Sequence, residues 1–266
     1  MLTTIQYFIL GIIQGISEWL PISSSAMISL VSSNFFQITD PSMLIKSALF
    51  LHIGTFLAAL VYFRKDVADL TKTAFKYKYS DEKNKKTLQF IAITTLITGI
   101  IGFIILEIIT NYESSLELTG KTITLFIGIL LLFTGIIQIK ITQRGLKTER
   151  EIKNSDSALL GVSQGLATLP GISRSGITTS ILLLRKFDDT TALRLSFLMS
   201  LPVVLGANII LNIKEFSLTS PAIYGLFSSF LLGLLTIHTL MKLSKKINFG
   251  WFVLIFAGLT LLSLLL

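Results

Sequence analysis

Cysteine is absent from this 266-residue chain, which excludes disulfides, thiolate nucleophiles and cysteine-ligated metals. Charge is scarce as well. Asp, Glu, Lys and Arg together make up 14% of residues, against about a quarter in ordinary soluble domains. Apolar residues make up 52% and mean hydropathy is +0.75, so a soluble globular domain is excluded and a polytopic membrane protein is expected. No Lys or Arg precedes Lys46. The apolar start therefore has no basic flank, and a cleaved signal peptide is not expected. No G-x-x-x-x-G-K-[ST] loop occurs, which removes P-loop nucleotide chemistry. Histidine is limited to His52 and His238, too few for the His-dependent pattern of soluble-type acid phosphatases. Both fall in apolar segments and read as interhelical hydrogen-bonding residues. The net charge of +8 is assigned to cytoplasmic loops facing anionic lipid, and no nucleic-acid partner is expected.

Apolar segments of about 20 residues, long enough to cross a bilayer, can be drawn at 44–63, 88–108, 121–140, 193–213, 221–241 and 249–266. The stretch 64–87 carries eight Lys or Arg and reads as a loop; 141–156 carries Arg144, Lys147, Arg150 and Lys153. The positive-inside rule puts both in the cytoplasm, with 109–120 outside. Two segments remain, 1–40 and 157–190, each an apolar run broken at its centre by Pro and Ser. Each reads as a hairpin that enters and leaves on one face, because non-helical backbone at membrane depth survives only where protein or a wet cavity shields it. The expected fold is thus all-α: a single polytopic integral membrane domain over 1–266, with about six transmembrane helices plus two re-entrant helical hairpins. The halves, 1–140 and 157–266, are expected to form an inverted-topology repeat whose hairpins meet near the midplane. Both termini are placed outside.

The repeat is visible in the letters. Leu10-Gly11-Ile12-Ile13-Gln14-Gly15, followed by Ile22-Ser23-Ser24-Ser25, recurs as Leu160-Gly161-Val162-Ser163-Gln164-Gly165, followed by Ile172-Ser173-Arg174-Ser175. In the first hairpin Gln14 and Glu18 are four residues apart, on one helix face. Pro21 stops that helix, and Ser23, Ser24 and Ser25 fall where the next should begin, with hydroxyls and free N–H groups suited to an anion. A carboxylate inside an apolar segment is costly, which marks Glu18 as functional. The second hairpin carries Pro170-Gly171-Ile172-Ser173-Arg174-Ser175-Gly176 at the mouth of a helix expected to begin Ile177-Thr178-Thr179. A guanidinium in the place of Ser24 suits bidentate binding of phosphate oxygens, the alternative being a salt bridge with Glu18 that pins the two hairpins together. Helix N-termini rich in donors, one Arg and one buried Glu point to a phosphorylated lipid.

At these residues the chain resembles the undecaprenyl-diphosphate phosphatase family, the bacitracin-resistance membrane phosphatases. The matching stretches are GIIQGISEWLPISSSAM (11–27), HIGTFLAALVYFRKDV (52–67), GVSQGLATLPGISRSGI (161–177) and LSFLMSLPVVLGA (195–207). The resemblance implies hydrolysis of a C55-type polyprenyl diphosphate to the monophosphate and inorganic phosphate, with a divalent cation, Mg²⁺ or else Ca²⁺. By position, Glu18 matches the second acidic residue of the family's acidic motif, Ser23 to Ser25 its serine motif and Arg174 its phosphate-binding arginine. Two departures stand out. The family often has Glu where this chain has Gln14. Its serine motif is followed by Gly-His, where this chain has Ala26-Met27, and a methionine cannot transfer a proton; His52 could substitute from the neighbouring span, though nothing in the sequence places it there.

The expected enzyme recycles a lipid carrier for cell-envelope glycan synthesis at the plasma membrane, with activity altered by Met27. The expected catalytic residues are Glu18, Ser24 and Arg174. Gln14, Ser23, Ser25, Gly171, Ser173, Ser175 and Thr178 are the substrate-binding set, with Glu18 and Gln14 as metal ligands. Expected partners are the polyprenyl diphosphate and membrane lipids, a homodimer being left open. The alternative is a non-hydrolytic polyprenyl-phosphate transporter of the same fold, with an ion-coupled transporter of a small anion behind it.

Overall fold

The computed structural model describes residues 2–38, 41–112, 145–169, 172–212 and 219–244, with isolated positions between 125 and 139 and between 251 and 261. These residues form nine helices: α1 (Thr4–Ser17), α2 (Ser24–Phe36), α3 (Pro41–Tyr62), α4 (Arg64–Phe75), α5 (Glu82–Tyr112), α6 (Asn154–Leu166), α7 (Arg174–Leu184), α8 (Asp189–Asn212) and α9 (Ser220–Leu243). No strand occurs among the described residues, only an isolated bridge between Lys147 and Phe187. The protein is an all-α membrane protein. Three stretches are long and apolar enough to cross a bilayer by themselves: Glu82–Ile108, Asp189–Ile210 and Ser220–Leu243. They coincide with three of the expected spans. The expected spans 121–140 and 249–266 lie largely outside the described residues.

The stretch 64–87 departs from its reading as a loop. The chain bends by 80° after Tyr62, where Phe63 leaves the helical region (φ −94°, ψ 23°), and then continues as α4. A buried edge survives among the charges at helical spacing: Leu70 and Thr73 are buried, while Asp66 in the first turn and Lys72 in the last complement the helix dipole. The density of Lys and Arg masks this period in the sequence. Charges from stretches far apart in the chain meet at this end of the molecule. Arg194 pairs with Asp66 and, at 2.7 Å, with Glu149, to which Lys83 also reaches at 3.7 Å.

The repeated phrase has a packing reason as well as a chemical one. α1 lies on α9 and α6 lies on α5. A Cβ added at Gly11 would stand 2.1 Å from Ser228 Oγ and 2.2 Å from the Gly225 carbonyl oxygen, and one at Gly15 would stand 2.8 Å from the Ser229 carbonyl oxygen. At Gly161 and Gly165 the corresponding contacts are Ile97 Cβ at 2.8 Å and Ile101 Cβ at 2.7 Å. Both hairpins thus enter on a small-xxx-small stripe that brings helix axes close, where packing rather than hydrophobicity holds helices together. Gly11→Leu is therefore expected to lower the melting temperature in detergent, through an overpacking cost of about 1–3 kcal/mol or more. The control is Gly99→Leu, because a Cβ at Gly99 meets nothing within 4 Å among the described residues. Equal melting of the two variants would contradict the packing argument.

The core behind the hairpins is apolar and aromatic. Trp19, Ala58, Ala59, Phe63, Phe197, Leu198 and Ile237 are buried together, with Trp19 and Phe197 edge to face at 4.9 Å between centroids. Outward faces carry exposed Leu96, Ile100, Phe103 and Ile104 on α5 and Ile223, Phe227, Leu231 and Leu235 on α9, as suits a lipid-facing surface.

Candidate active site at the junction of the two hairpins

α1 ends at Ser17, with Glu18 as its C-cap and the Glu18 N–H still bonded to the Gln14 carbonyl. Pro21 lies in the turn that follows, and Ser23 caps α2, its hydroxyl accepting from the Ala26 N–H. The second hairpin repeats this geometry. Ser173 caps α7 and accepts from the Gly176 N–H, with backbone angles of −73° and 113° against −72° and 111° at Ser23. Serines are good caps because their hydroxyl satisfies an N–H that the helix leaves unpaired. The consequence is chemical: Ser24 and Arg174 become the first residues of their helices.

Both converge on Glu18. The Ser24 hydroxyl donates to Glu18 Oε2 at 2.7 Å and the Gln14 amide donates to the same oxygen at 3.0 Å. Arg174 Nη2 pairs with Glu18 Oε1 in a short contact across the two hairpins. The guanidinium also reaches the Ser196 carbonyl at 3.5 Å and lies 5.6 Å from the Trp19 ring centroid. A planar cation over an indole face is attracted to the ring quadrupole, so Arg174 is held from three sides. Glu18 itself is 7% exposed. Burial at that level is tolerated because the carboxylate is paired and hydrogen-bonded.

The remaining serines fasten the hairpins together. Ser175 donates to the Leu20 carbonyl at 2.7 Å, Ser173 reaches the same oxygen at 3.5 Å, and the two hydroxyls lie 3.3 Å apart. Ser23 and Ser25 stand 3.1 Å apart in the matching positions. Thr178 is fully buried, bonded to the Arg174 carbonyl and to the Ser196 hydroxyl, each at 2.7 Å. Gly171 lies outside the described residues.

One residue that the sequence left as a structural histidine stands at the centre. His52, on α3, places Nε2 3.1 Å from Glu18 Oε2 and Nδ1 2.6 Å from the Ala48 carbonyl. Its sequence signals were being one of two histidines in the chain and opening the matched stretch 52–67; nothing in the letters placed α3 against Glu18. The other, His238, is exposed and rests against Tyr62, with ring centroids 6.2 Å apart. Trp19 and Ser196 also join the site; each lies in a stretch matched above, but neither was singled out as a site residue.

The fit of a divalent cation can be judged from the donors. A carboxylate offers about four lone-pair directions, and Glu18 already meets Arg174, Gln14, Ser24 and His52. Gln14 Oε1 is buried and unpaired, an open oxygen but a single neutral one. No group of three His, Cys, Asp or Glu side chains that could hold a metal occurs among the described residues. As arranged, these residues do not fit a resident Mg²⁺ or Ca²⁺.

The family model described as bacitracin resistance protein BacA matches residues 7–262. An undecaprenyl-diphosphatase of Methanococcoides burtonii is 44% identical over 271 aligned positions, covering 100% of this chain and 98% of that protein. Undecaprenyl-diphosphatases of Haloarcula marismortui (36% identical; 94% of this chain and 93% of that protein) and Christiangramia forsetii (32%; 92% and 90%) align nearly as fully. With a family model and full-length relatives matching across both hairpins, the chain belongs to the bacitracin resistance protein BacA family.

Proposed function

We propose that the protein is an undecaprenyl-diphosphate phosphatase of the plasma membrane, cutting the terminal phosphoanhydride bond of a polyprenyl diphosphate to return the carrier monophosphate and inorganic phosphate. The observation that carries this reading is the meeting of Ser24, Arg174 and Glu18 at one point from two helix N-termini and one helix C-terminus. The Arg174 guanidinium is a fork matched to phosphate oxygens. α2 and α7 begin at Ser24 and Arg174, so the positive ends of their dipoles lie beside the side chains that meet Glu18. Charge developing on the transferring phosphoryl group is stabilised by these groups, as in other phosphoryl transfers. Glu18 accepts the Ser24 hydroxyl proton in its hydrogen bond, which suits it to act as base toward Ser24 or toward a water in its place. The prenyl tail stays in the bilayer and the head group enters sideways.

The matching caps, serine pairs and glycine stripes of the two hairpins support an internal repeat, and the distribution of Lys and Arg supports multi-pass insertion with the halves inverted and both termini outside. Inorganic phosphate release from detergent-solubilised undecaprenyl diphosphate tests the function. Release by the wild type and not by Arg174→Ala supports it; binding of the monophosphate without release would favour the transporter.

Gln14 makes a distinct test. Gln14→Glu removes the amide donor at Glu18 Oε2 and sets a second carboxylate beside the first, and two such groups disfavour one another's charge. Turnover without added metal is expected to fall about tenfold, equal to about 1.4 kcal/mol of barrier, and to recover with millimolar Mg²⁺. A Gln14→Glu profile indifferent to Mg²⁺ and chelator would contradict this.

A further inference from the structure

We propose that α4 and the turn after it form a docking surface for anionic phospholipid head groups, at the membrane surface where α3 ends and α5 begins. Charge count alone assigns the basic loops to anionic lipid; the fold supplies a shaped surface for it, independent of the chemistry at Glu18. The 80° bend after Tyr62 turns α4 across the axis of α3, which holds the expected span 44–63. With α3 running along the bilayer normal, α4 lies close to the membrane plane. It is not a continuation of that span, because Arg64, Lys65 and Lys72 are exposed and would stand in hydrocarbon, where charge is costly. α5 is apolar enough to cross from Glu82 onward, so the segment between the two is bounded by spans on both sides. α4 is also held down: it packs against α3 and α5, with Leu70 and Thr73 as its buried edge, and Asp66 pairs with Arg194 of α8.

The outward face combines positive charge with bare rings. Lys65, Lys72 and Phe75 fall opposite the buried edge at helical spacing, and the chain then runs Lys76-Tyr77-Lys78-Tyr79. Phe75 is 85% exposed and Tyr79 86%. Tyr77 ties this turn to α5, its hydroxyl accepting from the Gln89 amide at 2.7 Å while Lys85 stands 5.7 Å from its ring centroid. Asp69 is the one exposed acid between residues 64 and 80, and it lies 3.9 Å from Lys72; Asp66 is taken up by Arg194. The segment therefore presents net positive charge, complementary to lipid phosphate, and each Lys or Arg near an anionic surface adds several-fold to the preference for it. Aromatic rings beside ammonium groups suit the head-group region, where an amphipathic helix lies in the interface plane. An acidic soluble partner would match the charge but would leave Phe75 and Tyr79 in water, so the bilayer surface is the occupant that accounts for both.

Because the chain has no cysteine, a single reporter can be placed on this face. Thr71 is exposed and four residues before Phe75, so Thr71→Cys labelled with bimane reports from beside the ring. The full chain is reconstituted in nanodiscs of phosphatidylcholine and phosphatidylglycerol, with a nitroxide on the upper acyl chain of one lipid or, at the same mole fraction, of the other. Nitroxide on phosphatidylglycerol is expected to quench at least about twofold more strongly, and this preference to vanish in about 1 M NaCl, where the Debye length falls to about 3 Å. Lys72→Gln/Lys76→Gln/Lys78→Gln is expected to abolish it, and Lys72→Arg/Lys76→Arg/Lys78→Arg to keep it. Equal quenching by the two lipids at low salt would overturn the proposal, as would a preference that survives both salt and the Gln substitutions. Absence of quenching by either lipid would put the face in water, as a soluble partner requires, and would overturn it as well. The salt dependence is read on the segment with all its lysines in place, so the outcome stands even where the Gln variant fails to fold.

Discussion

Arg174→Ala is expected to lower phosphate release by about 10²- to 10³-fold, the range found when a donor to developing negative charge is removed. The residue is the first of α7, set there by the Ser173 cap, and its guanidinium is oriented by Glu18, the Ser196 carbonyl and the Trp19 ring. Orientation is fixed before substrate arrives, so the cost of ordering a long side chain is not met during the reaction. Arg174→Lys separates charge from shape. A lysine keeps the positive charge but is a point donor that cannot span two phosphate oxygens, so its turnover should fall between wild type and alanine. Near-normal release by Arg174→Ala would remove the phosphate-binding role altogether. Release by lysine equal to that by arginine would reduce the role to charge.

Much of this site is legible in the letters because a buried charge must be explained. Glu18 in an apolar run, and Arg174 at the matching point of a repeated phrase, each demand a partner, and the structure makes them partners of one another. Capping is equally local, so Ser23 is readable as a helix start from a proline and a serine cluster, whereas the second helix, expected from Ile177, begins three residues earlier at Arg174 behind the Ser173 cap. What the letters hide depends on contacts between distant segments. His52 reaches Glu18 only because Gly54 and Ser229 seat α3 on α9. The repeated Gly-Gly spacing reads first as part of a binding phrase, whereas its glycines serve close helix approach. Ser173 and Ser175 read as phosphate donors, yet their hydroxyls hold the Leu20 carbonyl and so bind hairpin to hairpin. The helix at Arg64–Phe75 was obscured by its own charges: counting Lys and Arg decides the side of the membrane but says little about backbone conformation.

Glu18→Gln is the second large effect. The change is nearly isosteric, but it replaces an acceptor by a donor within a ring of donors. Oε2 meets Gln14, Ser24 and His52, while Oε1 meets Arg174. The amide oxygen will settle at the more crowded side, which turns the NH₂ group toward the guanidinium. Two costs follow. Removing one partner of a buried ion pair is worth about 3–5 kcal/mol, tempered here by the 15% exposure of the Arg174 side chain, so melting in detergent should fall by several degrees without loss of the fold. Hydrolysis should fall by about 10³-fold or more, because the proton acceptor and the anchor of Arg174 go together and groups that act as a unit do not lose their effects additively. That non-additivity is the sharper test. Once Glu18→Gln has been made, adding Arg174→Ala should cost less than about tenfold further. Independent, multiplying losses would mean that the two residues act separately and that their contact across the hairpins is structural only. Sub-additive losses would place the carboxylate and the guanidinium in one catalytic unit, assembled where the two halves of the chain meet.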